Sequence, residues 1–174
     1  MPIKFDRNLY NKYDSLTKNV MSHWLLSKGY KDINTEETYG VDVVCKDKLG
    51  LECYFETEIK TSWRDHWPES WKEIRIPYRK HKLIDKWVSS VKSEGCIGPL
   101  TFVIFNKHLD QAWFMDGSMV SESDVKPVDN RRRAAEPFYH IKVADAKLVK
   151  VMPSPVLKEK GYDKDLLINS KYPS

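Results

Sequence analysis

The residues best equipped for chemistry lie between Asp42 and Lys60. From Leu51 to Lys60 the chain alternates strictly, with Leu51, Cys53, Phe55, Thr57 and Ile59 against Glu52, Tyr54, Glu56, Glu58 and Lys60. Period two of this length predicts a strand with one face in a core and the other lined by acids and a lysine. If the segment Tyr39 to Cys45 pairs with it through the turn Lys46–Gly50, Asp42 falls opposite or diagonal to Glu56 and Glu58. That holds for one parity of register, because a slip of one residue turns Asp42 to the other side. Carboxylates so close repel, and one takes up a proton unless a cation joins them. A hard divalent ion such as Mg²⁺ suits an all-oxygen site, keeps several waters and accepts phosphate oxygens. Lys60, two residues beyond Glu58 on the same face, would bond a metal-bound water or a phosphate oxygen.

Glu-x-Lys on a strand is also an ordinary surface pattern, since cross-strand Glu/Lys pairs stabilise sheets mildly. Three features favour chemistry. Asp42 follows Gly40-Val41 in a strand core, where an unpaired acid is costly. The polar face is overwhelmingly acidic, and a basic, Trp-rich segment follows at once. Charge divides accordingly: Thr35 to Glu58 carries −5, and Trp71 to Ser93 carries +5, within a chain of net charge +4. An acidic segment followed by a basic one suggests a cation site beside an anion-binding surface.

The elements that must position these groups follow from pattern. Leu9, Tyr13, Leu16, Val20 and Trp24 recur at helical spacing, and Gly29 should end that helix. A short strand around Ile33 to Glu37 precedes the Tyr39–Cys45 strand. Thr61 to Tyr78 reads as irregular, and Leu83, Ile84, Trp87, Val88 and Val91 form the apolar side of a second helix ending at Gly95. Leu100–Phe105 is a buried strand with Ala112–Met115 as its hairpin partner. Val120–Val128 is a short helix or a loop, Asp129–Ala135 is a loop, and Phe138–Val143 and Leu148–Val151 are further strands. The expected fold class is α/β or α+β: a central mixed β-sheet flanked by helices, with extra C-terminal strands. The 174 residues are one domain's worth of chain, expected over residues 1–152 with a peripheral tail from Pro153.

Composition narrows the class. An apolar share of 41% and a charged share of 31% fit a globular chain. No apolar stretch approaches the roughly 20 residues that cross a bilayer, and residues 1–6 lack a signal-like apolar region. Cys45, Cys53 and Cys96 form no CxxC pair, so a reduced, intracellular and cytoplasmic chain is expected. His23, His66, His81, His108 and His140 have no metal-like spacing. His81 alone, beside Arg79 and Lys80, lies where it could reach the acidic site.

Gly40-Val41-Asp42, with Glu58-Ile59-Lys60 beginning sixteen positions after Asp42, resembles the PD-(D/E)XK nuclease superfamily. The resemblance covers roughly residues 8 to 107. It includes the order helix, three strands, helix, strand of the restriction-endonuclease-like core. In spacing it looks most like the small Holliday-junction-resolvase-like members. Val41 stands where the superfamily's name has proline. The resemblance implies Mg²⁺- or Mn²⁺-dependent phosphodiester hydrolysis. Asp42, Glu58 and the Ile59 carbonyl would then be metal ligands, and Lys60 would orient the attacking water. Resolvase-like members often add an acid from the first helix. That place falls near Lys18, with Asp14 a turn earlier, so Asp14, Glu36, Glu37 and Glu56 are candidate additional acids.

DNA is the expected substrate. Arg79, Lys80 and Lys82 open the second helix and could hold backbone phosphates, or form a solvated helix end. Trp63, Trp67 and Trp71, with Arg64, could stack on or wedge between bases, or the indoles could pack a small core beneath a loop. Arg131–Arg133 could clamp the far side, or lie solvated in their loop. A homodimer would serve two-strand cutting. The alternatives are an RNA endonuclease and a non-catalytic nucleic-acid-binding or protein-interaction module on the same fold.

Overall fold

The computed structural model describes residues 7–36, 40–94, 97–128 and 136–151. Glu37, Tyr39, Gly95, Cys96, Arg131–Arg133 and the segment from Pro153 lie outside the described residues. Helix α1 spans Arg7–Ser27. It closes with Gly29 N–H on the Leu26 carbonyl and Tyr30 N–H on that of Leu25, while Gly29 takes φ +91°. This is the left-handed cap that glycine makes cheap.

Three strands follow: β1 (Lys31–Asn34), β2 (Val43–Lys46) and β3 (Glu52–Lys60). The turn between β2 and β3 is held by Asp47, whose carboxylate accepts the N–H of Leu49 and of Leu51. Next come β4 (Glu73–Pro77), α2 (His81–Glu94), β5 (Leu100–Asn106) and β6 (Gln111–Asp116). The described chain continues with α3 (Gly117–Glu122), β7 (Asp124–Val128), β8 (Glu136–Lys142) and β9 (Lys147–Lys150).

The main sheet has the order β1-β2-β3-β5-β6-β9, in which β3 and β5 run parallel and the other pairs antiparallel. A parallel pair needs a crossover, which β4 and α2 supply. A second sheet has the order β4-β8-β7. The fold is mixed α+β, as expected, but the second sheet differs from the sequence reading in two places. The stretch Thr61–Tyr78 is not irregular throughout, because Ile74 and Ile76 point into the core from β4. The segment Val120–Val128 divides between α3 and β7.

Two cores sandwich the main sheet. On one face Val20, Met21 and Leu25 of α1 pack on Val43, Cys45, Cys53, Phe55, Val103 and Phe105. On the other, Ile84 of α2 and Ile74, Ile76, Tyr139 and Ile141 of the small sheet pack on Val44, Phe102, Ile104 and Trp113. The acidic face of β3 belongs to this second side. It is therefore partly covered, with Tyr54 packed against that core, Glu56 half-buried and Glu58 exposed. Among the described residues, no helix is long and apolar enough to cross a membrane.

Candidate active site

Register decides the site. Val43 pairs with Phe55 and Val44 with Tyr54. One step further along the same antiparallel ladder puts Asp42 opposite Glu56, with Glu58 on the diagonal. The strand itself begins at Val43, so Asp42 sits in the bend leading into it rather than inside it. Gly40 makes that bend at φ +74°, a conformation strained for any side chain, and a Cβ there would lie 3.7 Å from the Lys86 ammonium. Asp42 Oδ2 accepts the Thr57 backbone N–H at 2.7 Å and the Thr57 hydroxyl at 3.2 Å. These bonds pin its carboxylate to β3.

Glu56 meets it there. Burial, foremost, and then the Asp42 charge and a shared hydrogen bond push the Glu56 carboxyl up to about 8, against the pull of Lys80. Lys80 Nζ donates to Glu56 Oε1 at 3.1 Å, with the two side chains 26% and 12% exposed. Burial alone would lower the Lys80 ammonium's pKa, but Glu56, Glu58 and Asp42 outweigh it and raise it. Lys80 comes from the single turn, Tyr78–Lys80, between β4 and α2.

Lys60 is placed differently. Its ammonium lies 5.2 Å from the centroid of the Trp71 ring, a cation–π distance. Burial lowers its pKa, Glu58 counters this, and Arg75 reinforces it. Asp42, Glu56, Glu58 and Lys60 therefore follow one another on one side of the sheet, with Lys80 brought onto Glu56 from the turn before α2. Beside it opens a cleft of about 280 Å³ whose walls include Gly40, Glu56, Arg79, Lys80, Lys82 and Lys86.

Among the described residues, no three His, Cys, Asp or Glu side chains are grouped so that they could hold a metal ion. A magnesium ion needs fewer, since one or two carboxylates and waters suffice. Asp42 and Glu56 form an acid pair that Lys80 and a retained proton on Glu56 already offset. Their oxygen donors fit a hard divalent ion, with Glu58 and the Ile59 carbonyl next along the strand.

Other expected site residues fall elsewhere. Trp63 is fully buried, edge-on to Trp67 at 5.2 Å and beside Trp113 at 6.2 Å, so it has no face for a base. Its indole fills core volume beneath the loop instead. Asp14 pairs with Lys18 at 3.1 Å on α1, which packs on the opposite face of the sheet from Glu56. It does not join the acid row. Arg64 is exposed, and its carbonyl accepts from the Asn106 side chain. Arg79 pairs with Glu136 at 2.9 Å, and Lys82 is exposed at the cleft. His81 stacks on Tyr78 and lies 3.3 Å from Asp85.

Sequence reasoning ranked Glu56 below Glu58 and assigned Lys80 to phosphates alone. Parity on β3 could have singled out Glu56 as the residue opposite Asp42. No sequence signal brings Lys80 across 24 positions to Glu56. A scan against protein-family models and a search of curated proteins each gave no match to the chain.

Proposed function

We propose that this chain is a metal-dependent nuclease of the restriction-endonuclease-like fold that hydrolyses phosphodiester bonds in DNA. The observation that carries the reading is the pairing of Asp42 with Glu56 beside two ammonium groups and a basic cleft. Support for the fold comes from the order α1-β1-β2-β3-β4-α2-β5, in which β4 joins the second sheet and β5 runs parallel to β3. Asp42 and Glu56 would hold Mg²⁺ or Mn²⁺, with Glu58 and the Ile59 carbonyl completing the oxygen set. Bound there, the ion would polarise the phosphate and stabilise the departing oxygen.

The chain's own groups do the rest. Thr57 fixes the Asp42 carboxylate, and Glu56 must release its proton before it can ligate. The superfamily pattern gives the attacking water to the lysine of the strand motif, Lys60, but a second ammonium, Lys80, stands against the acids as well. Arg79, Lys82 and Lys86 around the cleft would hold flanking phosphates of the strand.

One observation favours a second reading. Because Lys80 already compensates Glu56, the acids could persist without a metal in a non-catalytic nucleic-acid-binding module. Incubation with labelled single-stranded, duplex and branched DNA, and matched RNA, in Mg²⁺ or Mn²⁺ separates the two. The nuclease reading expects cleavage that EDTA abolishes and Asp42→Asn removes. Salt-sensitive binding without cleavage, indifferent to EDTA, would establish the second reading instead.

A further inference from the structure

We propose that Lys80, not Lys60, is the lysine that touches the reacting phosphate and the attacking water; this rests on the nuclease reading above. Three observations carry it. Lys80 makes the direct ion pair with a site carboxylate, at 3.1 Å to Glu56. It also lines the basic cleft, so this ammonium stands between Glu56 and the cationic side chains Arg79, Lys82 and Lys86. Lys60, by contrast, is held over the Trp71 ring with Glu58 as its acidic neighbour, and the cleft walls do not include it.

The chemistry assigns the role. In hydrolysis the water oxygen bonds to phosphorus and the bond from phosphorus to the leaving oxygen breaks. One water proton ends on the leaving oxygen, and the other stays on the new phosphate hydroxyl or passes to solvent. An ammonium that keeps its own proton serves by donating hydrogen bonds to the non-bridging oxygens and to the water as negative charge grows. Lys80 suits this because its ammonium is bonded to the Glu56 carboxyl and also lines the cleft. Lys60 then acts as a positioning residue for Glu58. Its ammonium steadies that carboxylate from the far end of the row.

The test measures single-turnover cleavage of a DNA strand in Mg²⁺ by wild type, Lys80→Ala, Lys80→Gln, Lys80→Arg and Lys60→Ala, with Lys92→Ala as control. Both Lys80→Ala and Lys80→Gln are expected to lose at least about 100-fold in the single-turnover rate constant, with the half-saturating enzyme concentration changed less than about fivefold. Lys80→Gln can still donate to Glu56, so its Tm should stay near that of wild type. Lys80→Arg should recover to within about tenfold of wild type, and Lys60→Ala should lose about tenfold or less. The proposal is overturned if wild type cleaves while Lys80→Gln keeps its rate, or if Lys60→Ala alone abolishes cleavage. A wild type that cleaves nothing overturns the nuclease reading and this assignment together, which separates the two failures.

Discussion

On the α1 side of β3, Cys53 sits opposite Cys45, and Phe55 packs among Val43, Val103 and Phe105. On the other side, Glu56 sits opposite Asp42 and under Lys80. The first side is buried and the second partly so, with Glu56 half-buried and Glu58 exposed, and they meet the cost of burial by different means. Burial first, then Cys53 and Asp47, push the Cys45 thiol up to about 12, so this face stays neutral. The acid face keeps two ammonium groups beside three carboxyl groups. Buried ionic groups are seldom a source of stability, since apolar residues of similar volume often serve as well or better.

The largest effect that could break this contrast is on rate. Asp42→Asn keeps an oxygen for the Thr57 N–H but loses a charge, and should slow single-turnover cleavage about 1,000-fold, roughly 4 kcal/mol of barrier. Its melting temperature should barely move. Phe55→Ala should do the reverse, costing about 3–5 kcal/mol in urea unfolding while the rate per folded molecule stays the same. Either variant behaving like the other would erase the division of β3 into two faces.

Glu56 sharpens the comparison through pH. Its proton is held in the folded chain up to about 8, against 4.5 as the ordinary value. The folded state therefore binds more protons than the unfolded one across that window, and stability falls as pH rises from about 4.5 to about 8. Glu56→Gln should flatten this dependence, removing a loss on the order of 2 kcal/mol measured by urea unfolding at pH 5 and pH 8.5. In wild type, cleavage should rise through the same upper limit as Glu56 becomes free to ligate. The smallest effect belongs to Arg79, whose pair with Glu136 is exposed: Arg79→Ala should change stability by less than about 0.5 kcal/mol. It should instead lower the salt slope of DNA binding by about one phosphate contact.

The alternation from Leu51 to Lys60 placed β3 and its two faces correctly, because period two leaves no other way to bury Cys53 and Phe55. Gly29 ended α1 for the conformational reason that its type suggests. The small sheet was not legible. Strand β4 spends its alternation on only Ile74 and Ile76, and β7 is almost wholly exposed, so neither has a long apolar period. The acid row was legible as far as one hairpin reaches, since turn and parity fix Asp42 against Glu56. Lys80 was legible only as a charge, because the approach of α2 to β3 is set by packing of Ile84, Ile76 and Tyr139. Trp63 shows the converse, an aromatic whose type suits base stacking but whose volume the core takes up.

The most direct measurement is anomalous diffraction from crystals soaked in Mn²⁺ above pH 8, for wild type and Asp42→Asn. The account predicts one strong peak in wild type bridging the Asp42 and Glu56 carboxylates, and its loss in the variant. No peak between those two side chains in wild type, with Lys80 still bonded to Glu56, would contradict it.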